Sequence, residues 1–279
     1  MANNKKRWLA AQELEKRGIE NADDMEEWIQ IRRKTWSDLV YLLKDDITID
    51  DSTRILDIGC GPTSVFLGLR KGQKYAADPN LKLLFELHPW IKDVEEYKDV
   101  SFIPENCEEI NTDQKFDLIF TINMLDHINE VKPFIAKIGE LLSPSGNIVV
   151  LVDCYADAMV SKIMTFFDVD LPHPHHFITQ DIIKMFSGYK LQKQDDKVFR
   201  IFENCDFKGK KHRIEIYRID KLFMRMNQIL KEVGKQKDIL FIIKYFTCYV
   251  LALLTAIIRR KESPVHPLKK IRLFIFQKL

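Results

Sequence analysis

Long amphipathic stretches at the start of the chain give way to short, almost uninterrupted apolar runs from position 55 onward. Residues 3–17 and 24–44 repeat apolar positions at helical spacing and predict two helices, separated by the stretch from Gly18 to Ala22. In the second, Trp28, Arg32 and Trp36 fall at i, i+4 and i+8 on one face. The tryptophans either pack this helix on the rest of the chain or reach a ligand. After that the period changes. Residues 55–58, 74–78, 100–103, 116–121 and 147–152 are short apolar runs of the kind that form parallel strands buried on both faces. Helical patterns lie between and after them, at Pro133–Leu142, 156–167 and Thr179–Phe186. Residues 189–203 and 210–219 alternate and predict a closing antiparallel pair. Strands alternating with helices make this an α/β chain.

Chemistry gathers at the carboxyl ends of those strands, where an open α/β sheet holds its ligand. The first strand runs into Asp57-Ile-Gly59-Cys60-Gly61-Pro62. The two glycines permit a tight turn with no Cβ between backbone and ligand, and Pro62 suits the first turn of a helix. A third glycine, needed for the dinucleotide fingerprint, is replaced by Ser64. The second strand ends in Asp78-Pro79, 19 positions beyond Gly59, where a carboxylate can accept from both hydroxyls of a ribose. The third is followed by Asn106-Cys107, and the fourth by Asn123-Met124-Leu125-Asp126-His127.

The glycine turn resembles motif I of the class I S-adenosylmethionine (SAM) methyltransferases, though that pattern favours glycine at Thr63. Leu125-Asp126-His127 resembles the family's signature after strand four, and Ser143-Pro-Ser-Gly146 its turn before strand five. With Asp78, four agreements in order cover residues 54–153. The resemblance is to the small-molecule, "type 11"-like branch. It implies a Rossmann-like methyltransferase fold, a seven-stranded mostly parallel sheet of order 3-2-1-4-5-7-6 with helices on both faces. It also implies SAM as cofactor, held by Asp57, Gly59, Cys60, Gly61, Asp78, Pro79, Asn106, Cys107, Asn123 and Met124. Within that set Asn106 and Cys107 take the adenine positions, and the N-terminal helices cover the pocket.

Composition divides the chain into unlike parts. Overall, 46% hydrophobic and 30% charged residues describe an ordinary folded protein. Residues 1–207 hold 25 Lys and Arg against 36 Asp and Glu, whereas residues 208–279 hold 18 against 5. A basic quarter beside an acidic body points to an anionic partner surface. The five cysteines are scattered, with no C-x-x-C spacing, which argues against a disulfide framework or a zinc site and for a reducing compartment. The N-terminus lacks the apolar core of a secretory signal. From these boundaries we expect an N-terminal helical cap at 1–48, a methyltransferase domain at 49–220 and a helical extension at 221–279.

The extension is the unusual part. Ile239 to Ile258 contains one charge, Lys244, and Arg259-Arg260-Lys261 follows it. Residues 268–279 mix Lys269, Lys270, Arg272 and Lys278 with large apolar side chains and predict a second amphipathic piece. Basic flanks on both sides fit a single membrane span poorly and fit a helix lying at an anionic membrane surface. The alternative is a helix buried against the catalytic domain or a second subunit. The expected location is cytoplasmic, peripheral or monotopic at the inner membrane face, with no nucleic-acid partner, since no DNA- or RNA-binding module and no Asn/Asp-Pro-Pro-aromatic loop is present.

A loop at Asp168-Val-Asp170-Leu-Pro-His173-Pro-His175-His176 stands where relatives place acceptor contacts. Three readings are open: His175 or His176 as general base, the histidines with Asp168 or Asp170 as a metal site, or a structural loop. Prolines between the histidines oppose convergence on one ion, so no metal is expected. The candidate catalytic residues are His127, His175 and His176. The expected function is SAM-dependent methyl transfer to a hydroxyl of a small, sugar or lipid-linked acceptor at the cytoplasmic membrane face. The alternatives are a non-catalytic SAM-binding or membrane-scaffold protein, or a methyltransferase of a soluble metabolite with a nitrogen or carbon acceptor.

Overall fold

The computed structural model describes residues 2–155 apart from 21 and 23, residues 157–167, 173–203 and 269–279, and scattered positions from 206 to 254. Two helices open the chain, α1 (Ala2–Glu20) and α2 (Met25–Leu43). The sheet then starts with β1 (Arg54–Ile58), β2 (Gln73–Ala77), β3 (Val100–Ile103), β4 (Phe116–Ile122) and β5 (Leu142–Tyr155), which pair in parallel. Between them lie α3 (Leu81–Leu87) and α4 (Val131–Leu141), and after β5 come α5 (Ala158–Phe167) and α6 (Thr179–Met185). The expected helix after the glycine turn shrinks to one 3-10 turn, Val65–Leu67. Gly68 stops it, and only a few residues remain before β2.

The antiparallel end differs from expectation in which residues build it. Tyr189–Asp195 is β6, but the expected strand breaks there and Phe199–Glu203 forms a short helix, α7. Residues 206–207 and 210–211 make only a two-residue ladder, and residues 212–219, expected as a strand, lie outside the described residues. The strand between β5 and β6 is instead Lys269–Lys278, here β7, antiparallel to both. The expected order 3-2-1-4-5-7-6 holds, with the end of the chain as its seventh strand. The amphipathic piece expected at 268–279 is thus corrected to a sheet strand. Its alternation explains why. Ile271, Leu273 and Ile275 join the core on one face of the sheet, while Phe274 and Phe276 join the core on the other. Arg272 is 8% exposed and answered by Asp196, with Nη1 2.6 Å from Oδ2. Lys278 Nζ donates to the carbonyls of Gly139 and Leu142 (2.7 and 2.9 Å), at the end of α4.

One face of the sheet is covered by α2, α3, the 65–67 turn and residues 198–202, and the other by α4 and α6. Helix α2 docks closely. A Cβ on Gly68 would stand 2.3 Å from the backbone of Trp36 and Ser37. Trp36 is 3% exposed and donates its indole N–H to the Thr63 carbonyl at 2.6 Å. The packing reading therefore holds for Trp36, and its hydrogen bond ties the N-terminal cap to the glycine turn.

Candidate active site

A cleft of about 830 Å³ lies at the carboxyl ends of β1–β4, roofed by α1 and α2. Its floor is the glycine turn. Gly59 and Gly61 have φ of +72° and +49°, a region costly for residues with a Cβ. At Gly59 there is also no room, since a Cβ would sit 2.6 Å from that of Met124. The turn is fixed from both sides. Gly59 N–H donates to the Ala77 carbonyl (2.8 Å) and Gly61 N–H to Asp78 Oδ2 (3.1 Å). From below, Asp57 Oδ2 accepts from the Ser64 hydroxyl (2.6 Å) and the Val65 N–H (3.1 Å).

These two carboxyl groups sit differently. Asp57 is 2% exposed and lies behind the turn, so burial raises its pKa to about 7 against the pull of those hydrogen bonds. Its Oδ1 has no hydrogen-bond partner among the described residues. Asp78 lines the cleft, with Oδ1 accepting from Asn80 N–H at 2.8 Å, and burial raises its pKa too. Each Asp78 oxygen spends one lone pair on a backbone N–H and keeps another for a ligand.

Asn106 and Cys107 line the same cleft after β3. Asn106 donates to Glu109 Oε2 at 2.8 Å, leaving its carbonyl oxygen to accept from a ligand amine. Burial pushes the Cys107 thiol well above its ordinary pKa, so the site gives it no thiolate character. After β4, Asn123 turns through φ +51° and donates its N–H to the Leu151 carbonyl at 2.7 Å, which aims Met124 and His127 into the cleft. Cys60 is buried, with its N–H on the Ala77 carbonyl, and its side chain and that of Asp57 stand outside the cleft lining.

The histidines part company. His127 lines the cleft, with Nδ1 2.6 Å from Glu15 Oε1 on α1. His175 and His176, expected as base candidates, stand outside the lining and carry structural contacts. The His175 ring reaches the Ile128 carbonyl at 2.9 Å and stacks on Phe177, and its N–H donates to the Asp126 carbonyl. His176 is 8% exposed, with Nδ1 3.0 Å from Thr165 Oγ1 and its ring edge-on to Tyr155. Together they pin the loop down and bring His173 edge-to-face onto His127, ring centres 4.8 Å apart. Asp168 and Asp170 lie outside the described residues.

The roof adds groups the site reading lacked. Trp28 lines the cleft and is 45% exposed, and Arg32, also in the lining, stands over the rings of Trp28, Trp36 and Phe202. Their i, i+4 spacing was visible in sequence, but not which of them reached the cleft. Nothing local in sequence marks Glu15. It reaches the cleft only because α1 folds over the end of β4. Glu15, Asp78, Glu105, Glu108, Glu109 and Glu130 line the cleft with Arg32, giving it an acidic character suited to a cationic ligand.

Residues 27–194 match a family described as "methyltransferase domain". The chain belongs to that family. The match starts inside α2 and ends within β6, so β7 lies beyond it. The chain is 27% identical over 192 residues to the malonyl-[acyl-carrier protein] O-methyltransferase 2 of Ilyobacter polytropus, covering 66% of this chain and 70% of that protein. Among solved structures, it is similar in fold to a putative methyltransferase from Bacillus halodurans, with a TM-score of 0.53 at 15% identity over 87% of this chain and 99% of that one. It is also similar to the geranyl diphosphate C-methyltransferase from Streptomyces coelicolor, with a TM-score of 0.54 at 9% identity, covering 87% and 79%. The enzyme is a class I SAM-dependent methyltransferase.

The cleft fits this cofactor. The positive-φ glycines, Gly59 crowded by Met124, leave the floor open, Asp78 offers paired acceptors to a ribose diol, Asn106 and Cys107 line the cleft after β3, and the acidic lining complements the donor's positive charge. Bound there, SAM supplies a methyl group already activated by its sulfonium.

Proposed function

We propose that the enzyme methylates a hydroxyl oxygen of a small acceptor, sugar and lipid-linked ones included, that meets the cleft wall at His127. The observation that carries this is the His127–Glu15 contact at 2.6 Å on that wall. The contact lacks hydrogen-bond alignment and acts through charge: a carboxylate this close to the ring favours the imidazole's taking up a proton. A hydroxyl needs that help because it is a weak nucleophile until its proton is drawn off, whereas the donor needs none. As the carbon–oxygen bond forms and the carbon–sulfur bond breaks, the hydroxyl proton passes to the Asp126–His127–His173 cluster. The α1 and α2 roof supplies positioning, which accounts for most of what methyl transfer requires. The name of the Ilyobacter relative supports an oxygen acceptor, its malonyl oxygen being a carboxylate and not a hydroxyl.

The test is formation of S-adenosylhomocysteine by purified protein with hydroxyl, amine and activated-carbon acceptors. Turnover with a hydroxyl acceptor is expected, with His127→Ala lowering kcat by about 100-fold while SAM affinity stays within a few-fold. Turnover confined to amines or carbon acids, or an unchanged kcat in His127→Ala, would sink the reading.

The same reading places the enzyme at the cytoplasmic face of an anionic membrane. Residues 269–279 are taken up by the sheet, so contact falls to the segment before them. The described helical positions 243, 244, 247, 248, 250, 251 and 254 include Cys248, whose Sγ is 3.5 Å from Met164 Sδ on α5, and Ile243, Leu254, Met159 and Phe166 are 57%, 49%, 44% and 82% exposed. Arg259, Arg260 and Lys261 follow directly. Among the described residues no helix is long and apolar enough to cross a membrane. Flotation of the intact protein with anionic vesicles, abolished in the double variant Phe166→Ser and Leu254→Ser, is the expected result. Equal behaviour of the two proteins would remove the membrane from the account.

A further inference from the structure

Asp126, His127 and His173 offer three ligand atoms that all lie within 4.8 Å of one another. The separations within this group are unusual. Asp126 Oδ1 is 3.8 Å from His127 Nε2, and Asp126 Oδ2 is 3.9 Å from His173 Nε2. Both are too long for hydrogen bonds. They run to different oxygens of the carboxylate, each near the roughly 3–4 Å that separates two ligand atoms about 2.1 Å from a shared cation, and a small side-chain shift brings one oxygen and both imidazoles onto the ion. Asp126 is 4% exposed, and its Oδ1 accepts no hydrogen bond among the described residues. A buried carboxylate oxygen left without a donor is costly, and a cation removes that cost.

The surroundings complete the argument. His127 turns Nε2 toward the group because Nδ1 faces Glu15 at 2.6 Å. The contact lacks hydrogen-bond alignment, so Glu15 acts on the imidazole through its negative charge, which strengthens the ring as a ligand for a cation. The loop carrying His173 is held against the residues after β4 by His175, through its N–H on the Asp126 carbonyl and its ring on the Ile128 carbonyl. The ligand set is therefore positioned by contacts that do not need the ion. Its chains of origin, one loop after β4 and one before α6, meet only in the fold.

We propose that Asp126, His127 and His173 bind one divalent transition-metal cation of the zinc class at the wall of the methyl-transfer cleft. Two imidazole nitrogens and one carboxylate suit such a cation better than magnesium or calcium, which favour oxygen ligands. Three protein ligands leave coordination positions open toward the cleft, as catalytic sites do. This rests on the reading that the acceptor oxygen approaches His127. With the cation bound, His127 Nε2 is its ligand and no longer the proton acceptor; the cation draws electron density from that oxygen and eases loss of its proton to water. The histidine loop expected to hold no ion would then contribute its first histidine, with the other two acting as anchors.

The test uses untagged full-length protein, stripped with chelator and titrated with Co²⁺ alone, read by visible absorption and equilibrium dialysis. One Co²⁺ per chain with a ligand-field band is expected, displaced by Zn²⁺. Affinity should fall at least tenfold in His173→Gln and in Asp126→Asn, and by roughly tenfold or more in Glu15→Gln. Unchanged circular dichroism of His173→Gln, which is 19% exposed at its side chain, separates lost binding from lost fold. No stoichiometric binding by the intact protein, or binding that survives both ligand substitutions, overturns the proposal. Because the titration needs no acceptor, failure here leaves the oxygen-acceptor reading standing. Conversely, turnover confined to amines would leave a measured cation site intact.

Discussion

The parallel and antiparallel ends of this sheet are built differently, and only the first carries the site. From β1 to β4 each strand is followed by the next within a segment no longer than residues 78–99, with β4 returning to pair with β1, and each strand end delivers one piece of the cleft: the glycine turn, Asp78, Asn106 and the Asn123–His127 loop. At the other end β7 lies between β5 and β6, yet residues 196–268 separate it from β6 in sequence. The catalytic half is thus specified locally, while the supporting half waits for the end of the chain. What the difference teaches is that a strand with no catalytic residue can still decide whether the site exists. Without β7, the edge of β5 would be unpaired and both apolar layers open.

The largest effect should come from removing that strand. A chain ending at residue 268 loses Ile271, Leu273, Phe274, Ile275 and Phe276, all buried, at roughly 1.5–3 kcal/mol each. That sum rivals the whole stability of a domain, about 5–15 kcal/mol. We expect no cooperative thermal transition by circular dichroism. A truncated protein melting within a few degrees of the intact one would show the antiparallel end to be dispensable.

On the parallel side, Gly59→Ala should act on the site more than on the fold. The added methyl meets Met124 at 2.6 Å in a left-handed backbone. A cost of about 1–3 kcal/mol in stability is expected, with SAM affinity, measured by calorimetry, falling tenfold or more. Equal stability and affinity would mean that the loop after β4 shifts freely, against the fixed floor described above.

A graded effect, absent under acidic conditions, concerns pH. Asp57 titrates near 7 in the folded protein, up from 3.8, because burial disfavours its charge. The folded state therefore holds this proton more tightly than the unfolded chain. The stability it confers is complete below about pH 4 and is lost as pH rises toward 7, at most roughly 4 kcal/mol from this group. Chemical denaturation of the SAM-free protein should show that decline, and Asp57→Asn should flatten it. An identical slope in the variant would assign the decline to other groups.

Much of the parallel half was legible because its signals are short in range. An apolar run, two glycines and an acid at strand two's end need no distant partner to be read. The helices 2–20 and 25–43 were legible for the same reason, their periodicity being complete within themselves. Residues 269–278 were not. Lys269, Lys270, Arg272 and Lys278 among apolar residues look like a surface helix until Asp196 and the α4 carbonyls are placed opposite Arg272 and Lys278. Likewise the prolines between the three histidines argue, within the loop alone, against their converging on one ion. What sequence could not show is that His173 faces Asp126 and His127 from another loop while its neighbours turn away.

By itself, then, the sequence determined the α/β class, the strand-end placement of the glycine turn and Asp78, and with them the cofactor and the type of reaction, since each of these depends on residues close together in the chain. Tertiary structure alone decided which segment became the seventh strand, that Glu15 would reach His127, and which of the histidines would meet Asp126. Those outcomes depend on pairings between distant residues, where burial of both faces of β7 and the mutual approach of two loops outweigh the local pattern of either.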